Sequence, residues 1–175
     1  GLGDVYKRQE RDDVGITGAR LLYEDNTVQH AGVVIGYNGL AGHTFVGNEP
    51  DDVGYRAYVI QARDYSAVTA ACLMVKASLY DEVGGFEEEL EVAFNDVDFC
   101  LKVREKGYLV VYNPYAVLHH YESKSRGYED TPEKRNRFEK EAFFTYNKWE
   151  KILADGDPCY NPNLTLSNSD FSLRE

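Results

Sequence analysis

Cationic residues are scarce in this chain: 19 lysines and arginines stand against 30 aspartates and glutamates over 175 residues, a net charge of −11. That balance repels nucleic acid and anionic lipid surfaces, so a polyanionic ligand would need a local remedy such as a metal ion. Cysteine is also sparse. Cys72, Cys100 and Cys159 are odd in number and widely spaced, with no Cys-x-x-Cys. This speaks against a zinc site and a secreted disulfide framework and fits a reducing cytoplasm. No apolar run approaches the roughly 20 residues that span a bilayer, and no signal pattern opens the chain. A serine nucleophile elbow, a phosphate loop, a dinucleotide fingerprint, internal repeats and low-complexity tracts are all missing.

What is present suffices for a folded core, since 43% of the residues are hydrophobic. "VGITGARLL" (14–22) reads as a strand, "YEDNT" (23–27) as a turn and "VQHAGVVIG" (28–36) as the returning strand of a hairpin. Residues 37–65 show neither helical nor strand period and predict a long irregular segment. "SAVTAACLMV" (66–75) is a nearly unbroken apolar run, which predicts a strand buried on both faces. "KASLYDEV" predicts a short helix ending at Gly84-Gly85, and a second helix is expected from about Asp96 to Lys106, stopped by Gly107. "YLVVY" (108–112) is a strand that Asn113-Pro114 should break before a further extended piece, "YAVLHH". Thr131-Pro132-Glu133 predicts the start of a helix running to about Ala154, docked through Phe138, Ala142, Tyr146, Trp149 and Leu153.

Two constellations carry candidate chemistry. In "AFNDVDFCLK" (93–102) the acids Asp96 and Asp98 open a helix. Two residues of helix rotate them apart by roughly 200°, too far for one metal ion to grip both, so they need different jobs. A carboxylate at a helix N-terminus is favoured as an anion by the dipole and the unpaired N–H groups, which suits a plain cap or a base that must stay ionised. Taken locally, a cap at Asn95 or Asp96 with an Asp98–Lys102 pair at i,i+4 is the commoner pattern. In "LHHYESKSRG" (118–127) an imidazole could ligate a divalent metal, and Lys124, Ser125 and Arg126 could meet phosphate oxygens. Strand alternation sends His119 and His120 to opposite faces, so at most one serves a given site. His30 and His43 have no carboxylate or cysteine at ligand spacing and read as loop packing.

Taken in order, "GARLLYEDNTVQHAGVVIG", the long segment from "RDYSAVTAAC" through "GGFEEELEVAFNDVDFCLK" to "YLVVYNPYAVLHHYESKSRG", and the "YNPNLTL" tail resemble the C-terminal half of a family-2 glycosyltransferase of the GT-A fold. The likeness is to the bacterial branch that builds O-antigen, rhamnan and related surface polysaccharides. It implies an α/β fold, a mixed sheet flanked by helices, with the N-terminal nucleotide-binding half missing. It also implies an inverting transferase that moves a sugar from a nucleotide-sugar donor to a saccharide or lipid-linked saccharide acceptor, with Mn2+ or Mg2+ in the complete enzyme. Asp96 falls on the family's base and His120, not His119, on its metal-diphosphate histidine. Asn95 stands where an acid is usual, Lys102 where an arginine is usual, and Ser123 where a glycine is usual. The substrate side is expected at Ala71, Cys72, Gly84, Gly85, Phe86, Asn95, Asp98, Lys102, Ser125 and Arg126.

The first nine residues, "GLGDVYKRQ", resemble a sequence-assembly scar and are set aside. The expected division is then 10–154 for the acceptor-side half and 155–175 for an irregular tail. Such a piece is expected to be inactive alone and, in the cell, cytoplasmic, reaching the inner face of the membrane through its acceptor. The rival expectations are a noncatalytic carbohydrate-binding or scaffold module of the same fold, and a structural domain whose acids are only surface charge.

Overall fold

The computed structural model describes residues 11–121 and 131–174. Among the described residues seven strands, β1 (Val14–Leu22), β2 (Val28–His30), β3 (Val33–Ile35), β4 (Ala41–His43), β5 (Arg63–Asp64), β6 (Leu73–Val75) and β7 (Leu109–His119), and four helices, α1 (Ala77–Glu82), α2 (Asn95–Glu105), α3 (Pro132–Lys148) and α4 (Glu150–Asp155), build an α/β unit. Five strands form a mixed sheet in the order β2-β1-β7-β5, with β6 also paired to β1, and β3 and β4 form a separate ribbon.

β1 is the axis of the sheet and is buried along its whole length. It runs parallel to β7 and antiparallel to β2 and β6. Parallel neighbours need a long crossover, and α1 and α2 lie within that connection. A central strand packed on both faces needs small residues where its neighbours crowd it. A Cβ on Gly18 would fall 2.5 Å from the Cβ of Val68, so only glycine fits there.

The hairpin forms with the expected first strand, but its return is shorter than predicted. β2 pairs with β1 only to His30, and β3 then leaves to pair with β4. The turn-off is at Gly32, whose φ of +112° suits glycine and whose would-be Cβ lies 2.4 Å from the Tyr65 ring. The run 66–75 is not one buried strand. It breaks into a buried extended piece, a 3-10 turn at Ala70–Cys72 and the half-buried β6. The Thr69 hydroxyl caps that turn by accepting from the Ala71 N–H, a local bond that competes with strand pairing. Pro114 does not break β7 but bulges it: the partner of Ala19 is Asn113 and that of Arg20 is Val117.

Thr131 caps α3 as expected, its hydroxyl accepting from the Lys134 N–H. The single long helix divides at Trp149 (φ −113°, ψ 22°). Its docking stripe is the predicted one only at the C-terminal end: Trp149 and Leu153 pack on the core, but Phe138 and Tyr146 are exposed and the polar Glu141 and Thr145 are buried instead. The polar members have partners: Glu141 accepts from the Ala93 N–H at 2.6 Å, and Thr145 donates to the Glu141 carbonyl. The tail beyond α4 is irregular yet docked, with Phe171 stacked on Phe45 at 4.7 Å and Asp157 accepting from the Ile35 and Cys159 N–H groups.

α2 covers the sheet with Val97, Phe99, Cys100, Leu101 and Val103. It is fastened from behind by Asp98, which is fully buried. The carboxylate accepts from Trp149 Nε1 at 2.9 Å and meets Lys148 Nζ at 2.8 Å and Lys102 Nζ at 3.2 Å. Burial alone would lower the Lys148 ammonium, but hydrogen bonds to Asp98 and Glu87 outweigh it and raise the pKa. Removing the carboxylate leaves the buried Trp149 N–H without its acceptor, while the two lysines, 30% and 17% exposed, can turn to water. Asp98→Ala should therefore cost about 1–3 kcal/mol in a urea unfolding titration, the usual cost of an unsatisfied buried donor; no measurable loss, as for many exposed pairs, would contradict this role.

Candidate functional site

The N-terminus of α2, the 3-10 turn after Thr69, β2, β4 and the end of β7 converge on a cleft of about 450 Å3. Asp96 and His120 both line it, as do Gln29, His43, Thr69, Ala70, Ala71 and Asn95. The helix geometry that separates Asp96 from Asp98 is visible here: one acid faces the cleft and the other the core.

Neither Asn95 nor Asp96 caps α2. Phe94 holds the cap position in the left-handed region (φ 61°) without a side-chain cap bond. A left-handed non-glycine residue stores of order 1–3 kcal/mol of strain and persists only when its surroundings over-determine it. Here they do: the Ala93 N–H is held by Glu141, the Phe94 carbonyl accepts from the Asp98 N–H at 2.9 Å, and the Phe94 ring packs on Phe138 at 5.5 Å. The strain turns the first helical residues so that Asp96 reaches across to the 3-10 turn. Its Oδ2 accepts from the Ala70 N–H at 3.1 Å and its Oδ1 from the Val97 N–H at 2.9 Å. Each oxygen retains a further lone pair with which to accept a proton.

His120 follows β7 and is tied to β1 and β2. Its N–H donates to the Leu22 carbonyl at 2.9 Å, and its Nδ1 lies 2.9 Å from Gln29 Oε1. His119 points elsewhere and meets Asn26 in the β1–β2 turn at 2.8 Å. Among the described residues no group of three or more His, Cys, Asp or Glu side chains could hold a metal ion. The cleft offers a divalent ion the imidazoles of His43 and His120 and the Asp96 carboxylate, but these do not converge as a ligand group, so the residues do not by themselves fit a metal site.

The other expected substrate-side residues scatter. Ala71 and Asn95 line the cleft, whereas Cys72 packs against Ala19, Leu21 and Ala116. Asp98 is sealed from solvent and cannot touch a substrate in this arrangement. Lys102 donates to the Gly85 carbonyl at 2.6 Å, and Phe86 packs on Phe99 and Tyr80, so the Gly84-Gly85-Phe86 corner braces α1 against α2 away from the cleft. Ser123, Lys124, Ser125 and Arg126 lie outside the described residues.

The sequence points to neither Gln29 nor Thr69 and reads His30 and His43 as loop packing; the structure instead ends β2 with His30 and β4 with His43. His30 is fully buried, with Nδ1 3.0 Å from the Ala19 carbonyl and Nε2 accepting from the Thr69 N–H at 3.2 Å. A carbonyl only accepts and an N–H only donates, so both partners demand the neutral Nδ1–H ring. Thr69 leads into Ala70, which holds Asp96; His30 therefore fixes the turn on which the acid rests. The detectable signal was a histidine followed by Ala-Gly within an apolar strand, a buried polar group that requires satisfied partners.

No family model matches the chain. The uncharacterized protein y4gI of Sinorhizobium fredii is 49% identical over 173 residues, which are 98% of this chain and 19% of that protein. The O-antigen biosynthesis protein RfbC of Myxococcus xanthus is 34% identical over 177 residues, 99% of this chain and 13% of that protein. An N-acetylglucosaminyl-diphospho-decaprenol L-rhamnosyltransferase of Mycobacterium tuberculosis is 35% identical over 60 residues, 34% of this chain and 20% of that protein. The names of the latter two suggest a glycosyltransferase-related family. The chain spans about a fifth or less of the length of the curated relatives it matches. Among the described residues no helix is long and apolar enough to cross a membrane.

Burial, and secondarily the neighbouring His43, push the His30 pKa well below its ordinary value near 6.5. The unfolded chain then binds the extra proton below about pH 6.5, so the contribution of neutral His30 to stability is present above that pH and lost as pH falls. Burial raises the Asp157 carboxyl from its ordinary value near 3.8, despite its hydrogen-bond donors. That shift has the opposite sign, favouring the fold as pH falls through the raised pKa. Unfolding free energy measured in urea should drop between pH 7.5 and 5.5, by at most about 1.4 kcal/mol per pH unit for the one proton. The slope should vanish in His30→Leu; a flat wild-type profile would contradict a buried neutral His30.

Proposed function

We propose that this chain is the acceptor-side half of a GT-A, family-2 glycosyltransferase that works in the synthesis of a surface polysaccharide of the O-antigen or rhamnan kind. The carrying observation is that Asp96 and His120, singled out on separate motifs 24 positions apart, line one cleft. The relatives' names support the reading. In it, a hydroxyl of the saccharide or lipid-linked acceptor attacks the anomeric carbon of a nucleotide sugar. The new C–O bond forms as the bond to the departing diphosphate breaks, with inversion at that carbon, and the hydroxyl proton passes to Asp96. The Ala70 and Val97 N–H groups hold the carboxylate in place.

The Mn2+ or Mg2+ ion expected from the resemblance belongs to the same proposal. It would offset the charge of the departing diphosphate. His120 is the one ligand assigned from this chain, and no step is built through the ion. A binding-only module of the same fold would need neither a carboxylate nor an oriented imidazole in its cleft, and the shared cleft supports the transfer reading over it.

In the full-length protein, Asp96→Asn should lower turnover by about 10²–10⁴-fold, the usual worth of a general base, with nucleotide-sugar binding retained. The measurement is release of nucleoside diphosphate from nucleotide sugars in the presence of acceptor. Near-normal turnover would overturn the role of Asp96.

A further inference from the structure

Gln29 touches both histidines that line the cleft. Its amide spans His120: Nε2 donates to the His120 backbone carbonyl at 3.3 Å, and Oε1 lies 2.9 Å from the ring Nδ1. A carbonyl oxygen can only accept, so the amide NH2 must face it, which fixes the orientation of the side chain. Oε1, itself only an acceptor, is then left opposite Nδ1. The neutral His120 ring must carry its proton on Nδ1 and present Nε2 unprotonated. The Gln29 backbone carbonyl lies 3.1 Å from Nδ1 of His43, and the same logic places the proton of that ring on Nδ1. Gln29 is 1% exposed, so water does not compete for these bonds, and an unmatched buried donor would cost about 1–3 kcal/mol.

We infer that Gln29 is a positioning residue of the transfer site, holding His120 and His43 together as Nδ1–H tautomers, and that His43 is a second imidazole of that site. Two unprotonated nitrogens then belong to one cleft, each able to accept a hydrogen bond from a sugar hydroxyl. The assignment of a site rests on the transfer reading; the tautomers do not.

The test is a long-range proton–nitrogen correlation spectrum of the 15N-histidine-labelled chain at a pH where the rings are neutral. Free histidine in water favours Nε2–H, so the expected inversion, with Nε2 unprotonated in both rings, is a specific signature. Gln29→Met removes the amide but keeps the backbone carbonyl, and should release His120 towards Nε2–H while leaving His43 unchanged. Gln29→Glu keeps an acceptor at Nδ1 and should hold His120 in the wild-type tautomer. A wild-type His120 that is mainly Nε2–H overturns the inference, as does a folded Gln29→Met chain in which His120 does not respond. Should Gln29→Met fail to fold, the wild-type spectrum still decides. Normal turnover in Asp96→Asn would remove the transfer reading without altering these spectra, so the two failures are distinguishable.

Discussion

The buried imidazole of His30 holds together the elements that shape the cleft. It sits where β1, β2 and the turn after Thr69 meet, spending its Nδ1–H on the Ala19 carbonyl and its Nε2 lone pair on the Thr69 N–H. Both bonds are made away from water, where an unpaired polar group is costly. The apolar run 66–75 would otherwise be free to continue as a strand. It is stopped at Thr69, turned, and presented with the Ala70 N–H towards α2. Gln29, the preceding residue on β2, reaches the opposite way and grips His120. Strand alternation thus lets two adjacent side chains govern two separate parts of the cleft.

The same economy operates on α2. Its first turn presents Asp96 to the cleft, while Asp98, roughly 200° further round, is drawn into the core by Trp149, Lys148 and Lys102. The buried cluster sets the helix against α3 and α4, and the strained Phe94 sets its approach. A helix so held on its far side does not need a side-chain cap at its near end. The backbone donors of its first turn, and those of the neighbouring 3-10 turn, remain available to a carboxylate.

Elements whose signals were local were legible in the sequence. β1 was predicted to the residue, α1 and α2 were bounded by their glycines, and Thr131 capped α3 as its Thr-Pro-Glu pattern implied. The misses arose where a distant partner decided the outcome. The return strand ended at His30 because the Tyr65 ring occupies the space over Gly32. The stripe on α3 was misplaced because its buried members are polar: Glu141 holds the Ala93 N–H and Thr145 bonds within the helix, which an apolar periodicity cannot reveal. Asp96 and His120 were visible as motifs, but Gln29 and His43 were not, since what singles them out is a contact 91 positions away in one case and a ring seated on another residue's carbonyl in the other.

The chain of contacts from His30 through Thr69 and Ala70 to Asp96 is the central claim, and amide hydrogen exchange reads it directly. In the wild type the Thr69 and Ala70 amides should both be protected. In His30→Leu they should lose protection together while the β1 amides keep theirs. A His30→Leu chain in which Ala70 stays as protected as in the wild type would show that His30 does not hold the turn on which Asp96 rests.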